Sequence, residues 1–310
     1  MVQVLNAFTV DVEDYYQVSG FEQHIRRDAW DQHESRVVAN THRILDLLAR
    51  HDTRATFFVL GWVAEKYPQL VRDIHSAGHE LGSHSYWHRL VYSLTPDEFR
   101  DDLRRSKQVI EDAAGVEVNC YRAPSFSITE QSLWALEILV EEGITIDSSV
   151  FPVKHDRYGL PGATATIHEI PTPSGSLIEF PLTFVGSSRY PIPVGGGGYF
   201  RLYPYWLTKK LLTHVNEYSQ RPFSFYIHPW EVDPDQPRLR AGSRSSRFRH
   251  YVNLQPTVAK LSKLLGDFCF STVSDSIRNH GAVAPVDSSG AWNCPSPRIA
   301  FDAAADRQVF

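Results

Sequence analysis

The sequence has few cysteines, no excess of basic residues and no long apolar run, and each shortage excludes a class of protein. Its three cysteines, Cys120, Cys269 and Cys294, are too few and too scattered for a disulfide framework or a thiolate zinc site. The formal net charge of −5 argues against a nucleic-acid-binding protein, whose footprint is usually basic. Residues 1–6 lead into a strand without a basic segment or an apolar stretch. We therefore expect no secretory signal, no membrane-spanning anchor and a cytoplasmic location.

The rest of the composition is that of an ordinary globular protein, with 42% hydrophobic and 22% charged residues. Apolar runs suited to strands alternate with amphipathic patterns suited to helices. Strands are expected at 7–10, 55–60, 80–83, 116–121, 144–146 and 223–227, and helices at 36–50, 63–77, 95–114, 129–142, 205–218 and 256–267. This alternation predicts an α/β fold with parallel strands wound into a sheet or barrel.

The most informative motif is a pair of histidines, His84 and His88, within the run 78–88. Four residues apart, they would lie on the same side of a helical turn and could bind one metal ion together. Two of fourteen histidines can also fall at this spacing by chance, so the pair needs a third ligand. The acidic cluster 11–14, directly after the strand predicted at 7–10, supplies a carboxylate for the metal and a second one for a catalytic base.

Polar side chains follow five of the predicted strands. In parallel α/β folds the chemistry collects at the carboxyl ends of the strands, so we expect these residues to meet there. They are Asp11, His84, Arg122, Asp147 and His228. Buried core histidines and solvated charges do not readily produce five polar groups at equivalent positions, so the pattern predicts an active site.

Two stretches interrupt the alternation of strands and helices. Residues 151–201 are rich in proline, glycine and threonine, and we expect an extended insertion with a hairpin around 173–175. The glycine run that begins at Gly195 is expected to be a plain loop, since no Lys-Ser/Thr follows it as in a phosphate-binding loop. We predict one catalytic domain over 1–281, which includes the insertion, and a tail over 282–310 that is either poorly ordered or packed as coil.

Five short motifs occur in a fixed order that resembles the polysaccharide deacetylase family, also known as carbohydrate esterase family four. They are Thr9–Asp14, His84–His88, Arg122–Ser125, Asp147–Ser149 and Tyr226–His228. The segments Gly195–Arg201 and His228–Glu231 resemble a bacterial branch found in exopolysaccharide biosynthesis loci. The resemblance implies an irregular (β/α)7-type barrel and a divalent metal cofactor, for which zinc is the expected identity.

The resemblance also implies which residues bind the metal and which residue acts as the catalytic base. Asp11 maps onto the catalytic base, and His84 and His88 map onto two metal ligands. The family's first motif has two adjacent aspartates, whereas Asp11 is followed here by Val, Glu13 and Asp14. The metal carboxylate is therefore either Asp14 or Glu13, and we expect Asp14 because the family's ligand is normally aspartate.

The other motif residues take the remaining roles that the resemblance implies. Arg122 would pair with Asp11 and keep it ionised, and the backbone N–H of Ser125 would stabilise the oxyanion. His228 would protonate the leaving amine, and Asp147 beside it would raise its pKa.

The implied function is a metal-dependent hydrolase that removes N-acetyl groups from N-acetylated sugars of a polysaccharide or a lipid-linked oligosaccharide. Two alternatives stay open. One is a hydrolase of a small amide or cyclic imide on the same barrel, which would have a closed pocket rather than a long groove. The other is a catalytically silent carbohydrate-binding relative, against which intact Asp11, His84, His88 and His228 count.

Overall fold

The computed structural model describes residues 4–154, 158–187 and 190–281 of the 310-residue chain. The strands are β1 (Leu5–Val12), β2 (Thr56–Val59), β3 (Glu80–Ser83), β4 (Cys120–Tyr121), β5 (Ile146–Asp147), β6 (His168–Thr172), β7 (Gly175–Glu179), β8 (Phe184–Ser187), β9 (Tyr190–Pro193), β10 (Ser224–Ile227) and β11 (Cys269–Ser271). The helices are α1 (Val37–Arg50), α2 (Gly61–Lys66), α3 (Pro68–Ser76), α4 (Pro96–Ala114), α5 (Trp134–Glu141), α6 (Gly197–Leu202), α7 (Tyr205–Glu217), α8 (Arg244–Tyr251), α9 (Thr257–Asp267) and α10 (Val273–His280). The tail predicted at 282–310 lies outside the described residues. No described helix combines the length and the apolar character needed to cross a membrane.

The main sheet is mostly parallel, which confirms the α/β fold class. Its strands follow the order β10-β1-β2-β3-β4-β5-β7-β6, and β11 pairs with β1. Every pairing in this sheet is parallel except that of β6 with β7. β1 is buried from Asn6 to Val12, as expected for a central parallel strand that is covered on both faces.

Irregular backbone connects β10, at one edge of the sheet, with the segment that follows β7, near the opposite edge. The N–H of Leu182, just beyond β7, donates to the carbonyl of Val150, 3.0 Å away. The hydroxyl of Thr183 then donates to the carbonyl of Ser224, at 3.1 Å, and accepts from the Ser224 N–H, at 3.0 Å. The chain after β7 therefore bridges toward β10 without forming a regular strand, which suits the irregular barrel expected from the sequence.

Several predicted elements differ from the observed ones for local reasons. The helix predicted at 63–77 is two helices, α2 and α3, because Pro68 starts the second and has no N–H to continue the first. The helix predicted at 95–114 is confirmed as α4, with Thr95 and Glu98 forming its capping box. The hairpin expected around 173–175 is confirmed as β6 and β7.

The glycine run is not a plain loop. Gly196 makes a parallel bridge with Tyr226, and its φ of 131° lies in the region that favours glycine. A Cβ on Gly196 would collide with the carbonyl oxygen of Tyr226, so only glycine allows this close approach. The chain then enters α6 at Gly197, which carries Tyr199 and Arg201 toward the end of β10. This corrects the loop prediction.

Candidate active site and metal centre

Four of the five predicted strand-end residues line one pocket of about 300 Å³ or contact its lining residues. Asp11, His84 and His228 line the pocket directly. Arg122 lies behind it, fully buried, with its Nη1 donating to Oδ1 of Asp11 at 2.8 Å. The parallel strands β1, β3, β4 and β10 end at the same edge of the sheet, and this brings together residues that are far apart in the sequence.

Glu13, His84 and His88 form a buried cluster that could hold a metal ion. Their ligand atoms all lie within 4.8 Å of one another. Oε2 of Glu13 is 2.8 Å from Nε2 of His88, and the rings of His84 and His88 are 5.3 Å apart between centroids. Two imidazoles and one carboxylate are a donor set that zinc favours, and three protein ligands leave a position open for water.

The surroundings of these three side chains fit a metal cation. Nδ1 of His84 donates to the carbonyl of Arg122 at 2.8 Å, which leaves its Nε2 unprotonated and directed to the cluster. Burial lowers the pKa of His84 to about 4, so the imidazole is neutral at pH 7. Burial by itself would raise the pKa of Glu13, but the nearby imidazoles, His88 first, lower it to about 2. The cluster therefore presents an ionised carboxylate and a free imidazole lone pair, as a divalent metal requires.

The two histidines do not lie on a helix, which corrects the expectation from their spacing. The segment 84–88 is a loop in which Ser85 and His88 have positive φ values of 67° and 52°. The carboxylate of Asp102, on α4, accepts hydrogen bonds from the backbone N–H groups of Tyr86 and Trp87. Sequence reasoning missed Asp102, because nothing in the spacing of α4 points to this loop.

Asp14 is not part of the metal cluster, so the preference for Asp14 over Glu13 was wrong. Oδ2 of Asp14 accepts from the hydroxyl of Ser35 at 2.7 Å and from the N–H groups of Arg36 and Val37 at 2.9 and 3.2 Å. Asp14 therefore caps the start of α1. The alternation of side chains along a strand would have favoured Glu13 as the ligand, because residues two apart share a face, but it could not have shown that Asp14 caps α1.

Arg122 fixes the position of the predicted base. Besides Asp11, its guanidinium donates to the hydroxyl of Thr9 at 2.6 Å, to the hydroxyl of Ser148 at 2.9 Å and to the carbonyl of Ser148 at 3.1 Å. Oδ2 of Asp11 remains directed to the pocket, 3.9 Å from Nε2 of His228. Arg122 therefore holds the carboxylate of Asp11 in a fixed position beside the metal cluster.

The carboxylate that contacts His228 is that of Glu231 rather than that of Asp147. Nδ1 of His228 lies 2.7 Å from Oε1 of Glu231, and Nε of Arg201 donates to Oε2 of Glu231 at 2.5 Å. Burial opposes the charge, but Glu231, Glu13 and Asp11 together raise the pKa of His228 to about 9. Nε2 of His228 then points to Glu13, with Oε1 at 3.6 Å. Sequence reasoning singled out the segment 228–231 but missed this pairing within it.

Asp147 lies away from His228, which corrects its predicted position. Its Oδ1 accepts from the hydroxyl of Ser149 at 2.5 Å, and its carboxyl group is hydrogen-bonded with that of Glu179. Burial raises the pKa of Asp147 to about 6 and raises that of Glu179 well above its usual range. We assign the shared proton to Glu179. Two like carboxyl groups, buried together, cannot both be ionised at low cost.

The walls of the pocket are aromatic and come from distant parts of the chain. Phe126, Tyr199, Tyr226 and Trp230 all line it, while Trp87 packs on other aromatic rings. Trp230 stacks between His228 and His250, with ring centroids 5.1 and 4.1 Å apart. Ser125 also lines the pocket, with a positive φ of 51° and its hydroxyl 2.6 Å from that of Ser19. The role of its N–H in binding an oxyanion stays a prediction.

Comparison with known proteins relates part of the chain to a described family. Residues 29–140 match the family model described as polysaccharide deacetylase. The matched stretch carries His84, His88 and Arg122, and over it the chain is similar to polysaccharide deacetylases. Residues 148–278 match a second model, described only as a domain of unknown function (DUF3473). The part of the chain that matches the second model carries His228, Glu231 and Arg201.

Relatives of known name share a limited part of the chain. A peptidoglycan-N-acetylglucosamine deacetylase of Bacillus cereus is 30% identical over 149 residues, which are 44% of this chain and 53% of that protein. A peptidoglycan-N-acetylmuramic acid deacetylase of Bacillus subtilis, PdaA, is 32% identical over 84 residues, 27% of this chain and 32% of that protein. The chain thus spans about half or less of the length of these relatives. A crystal structure from Mycobacterium smegmatis, assigned as a polysaccharide deacetylase, covers 92% of this chain and 93% of its own, with a TM-score of 0.59 and 22% identity, and shows the same fold.

Proposed function

We propose that this protein is a metal-dependent hydrolase that removes N-acetyl groups from N-acetylated sugars of a polysaccharide or a lipid-linked oligosaccharide. The observation that carries the proposal is the arrangement around the metal cluster. Asp11, held by Arg122, and His228, held by Glu231 and with its pKa raised to about 9, both face the cluster from within one pocket. A base and an acid on the two sides of one centre are what hydrolysis of an amide requires.

Glu13, His84 and His88 would hold the metal, with zinc as the proposed identity. When bound, the metal would polarise the acetamide carbonyl and make a water molecule more acidic. Asp11 would take a proton from the attacking water, and its bond to Arg122 keeps Oδ1 fixed while Oδ2 faces the pocket. The remaining proton transfer belongs to His228.

His228 would give its proton to the amine as the carbon–nitrogen bond breaks. An amide anion is too poor a leaving group to depart without this proton. Glu231 accepts at Nδ1, so the proton to be transferred is on Nε2, the nitrogen that faces Asp11 and Glu13. We therefore propose Nε2 of His228 as the acid.

Support for an exopolysaccharide substrate comes from the segments Gly195–Arg201 and His228–Glu231, whose residues build the wall beside His228. The cytoplasmic location stays a prediction. Hydrolysis of a small amide or cyclic imide is the second candidate, because a pocket of about 300 Å³ lies at the lower end of the range for small-molecule sites.

The test measures acetate release from a panel of N-acetylated oligosaccharides and ring opening of small cyclic imides, each before chelation, after chelation and after zinc is returned. We expect release from the sugars, its loss with chelator and its recovery with zinc. His88→Ala should abolish both metal content and activity, whereas His75→Ala, a histidine outside the pocket lining, should change neither. Turnover of imides alone would favour the second candidate, and metal retained without turnover of any substrate would favour a silent carbohydrate-binding protein.

A further inference from the structure

A strongly basic stretch lies beside the pocket of an otherwise acidic chain. Residues 238–249 contain five arginines and no aspartate or glutamate, although the whole chain has a net charge of −5. The five are Arg238, Arg240, Arg244, Arg247 and Arg249, and all are exposed or half-buried. Within the described ranges 4–154, 158–187 and 190–281, none of them forms an ion pair. Their charge is therefore available to a partner outside the chain.

Helix α8 forms a wall between the active-site pocket and a second, open groove. Ser246, Arg249 and His250 line the active-site pocket. The opposite face of the helix lines the groove, which has a volume of about 660 Å³. That face carries Arg244, Arg247, Phe248 and Tyr251, at the spacing that places side chains on one side of a helix. A helix is about 10 Å across, so the groove lies within a few sugar units of the reacting centre.

The groove is held in place by hydrogen bonds within the chain. The hydroxyl of Tyr251 accepts from the N–H of Leu239 at 2.7 Å and donates to the carbonyl of Pro237 at 3.2 Å, which holds the opposite wall. The guanidinium of Arg238 lies 4.5 Å from the centre of the Tyr251 ring. On the pocket side, Arg201 donates to the carbonyl of Arg249 at 2.7 Å. Arg201 also binds Glu231, so one buried residue connects α8 to the partner of His228.

We propose that this groove, lined by Arg238, Arg240, Arg244, Arg247 and Phe248, binds an anionic group of the glycan substrate while the N-acetylated sugar occupies the active-site pocket. The proposal rests on the proposed function and narrows its substrate to a glycan that carries phosphate or carboxylate near the acetamido sugar. Guanidinium groups match the oxygens of both anions, and no carboxylate in the described part of the chain forms an ion pair with these arginines. The groove is concave and shares a wall with the pocket, which suits an extended glycan better than a flat lipid surface.

The test compares three substrates: a neutral N-acetylglucosamine oligosaccharide, an oligosaccharide of N-acetylglucosamine alternating with glucuronate, and an N-acetylglucosamine oligosaccharide linked to a prenyl diphosphate. The measured quantity is the ratio of kcat/KM for each anionic substrate to that for the neutral one. We expect a ratio of at least about ten for one anionic substrate, which identifies the anion. Arg244→Gln/Arg247→Gln should reduce this ratio about tenfold, mainly through KM. The control, Arg50→Gln/Arg72→Gln, removes two exposed arginines from α1 and α3 and should preserve it.

Equal kcat/KM for all three substrates, with the double variant unchanged, overturns the proposal. If the proposed function itself is wrong, the result is different: no substrate releases acetate, the neutral one included. In that case calorimetric titration with inorganic pyrophosphate and with the glucuronate oligosaccharide decides about the groove. Binding by the wild type that Arg244→Gln/Arg247→Gln weakens at least tenfold supports the anion site, and no binding overturns it. Arginine-dependent sedimentation with phosphatidylglycerol vesicles, without any substrate preference, would also overturn it and would indicate a membrane-docking surface.

Discussion

Replacing Asp14 with asparagine tests whether this carboxylate caps α1 or holds the metal. Asp14 accepts hydrogen bonds from Ser35, Arg36 and Val37 through Oδ2 and from Tyr15 through Oδ1. An asparagine can keep only one of these oxygens, and its amide NH₂ would face backbone N–H groups. Each buried donor left unpaired costs about 1–3 kcal/mol, and loss of a helix cap costs about 1 kcal/mol.

We expect Asp14→Asn to lower the free energy of unfolding by about 2–4 kcal/mol, since these contributions overlap. With an unfolding entropy of about 2.1 cal/mol/K per residue over 310 residues, Tm should fall by about 3–6 °C. The assay is calorimetry of the metal-free protein, which separates helix capping from metal binding.

Metal content then distinguishes the two acidic residues. Asp14→Asn should still bind one zinc per chain by elemental analysis, and zinc should raise its Tm as it raises that of the wild type. Glu13→Gln should lose most of the metal and show no rise in Tm, because it removes the only carboxylate in the cluster found among the described residues. Loss of metal from Asp14→Asn together with its retention by Glu13→Gln would refute the assignment of the ligand.

Three further predictions concern proton positions. Asp11→Asn should keep the metal and lose about 10²–10⁴-fold in acetate release, because asparagine cannot accept a proton; retained activity with lost metal would make Asp11 a ligand. His228→Ala and Glu231→Gln should each reduce amide hydrolysis at least tenfold but reduce hydrolysis of phenyl acetate less, because phenolate leaves without a proton; equal losses on both substrates would contradict the role of His228 as acid. The pKa of Glu179 is raised in the folded state by burial and by Asp147, so its contribution to stability is greatest below its ordinary pKa of 4.5 and is lost as pH rises through the raised value. The Tm of Glu179→Gln relative to the wild type should therefore increase from about pH 4.5 upward, and thermal scans showing a constant difference would contradict the shared proton.

The parts of the fold that depend on local sequence patterns were predictable. The alternation of apolar runs and amphipathic segments was enough to predict parallel strands, and the capping box at Thr95 was enough to locate the start of α4. Residues at strand ends were predictable as site residues because a parallel sheet places all its carboxyl ends on one edge. The pairing of Arg122 with Asp11 followed from the family resemblance and is present at 2.8 Å.

The identity of each partner within the site was decided by tertiary structure. Two carboxylates, Glu13 and Asp14, follow one strand, and only the packing of α1 against that strand end shows that Asp14 is used as its cap. Asp147 was the carboxylate expected beside His228, but the turn after β10 brings Glu231 to His228, and Asp147 is paired with Glu179.

The position of the groove lined by arginines was also decided by tertiary structure. Its charge can be read from residues 238–249, but its position cannot, because α8 is held beside the pocket by Arg201, more than forty positions earlier in the chain. Sequence periodicity records what each segment buries and which way its side chains point. Contacts between charged groups depend on segments that pack together only in the folded chain. A buried charge is costly without a partner, so the packing of these segments decides which charged groups pair.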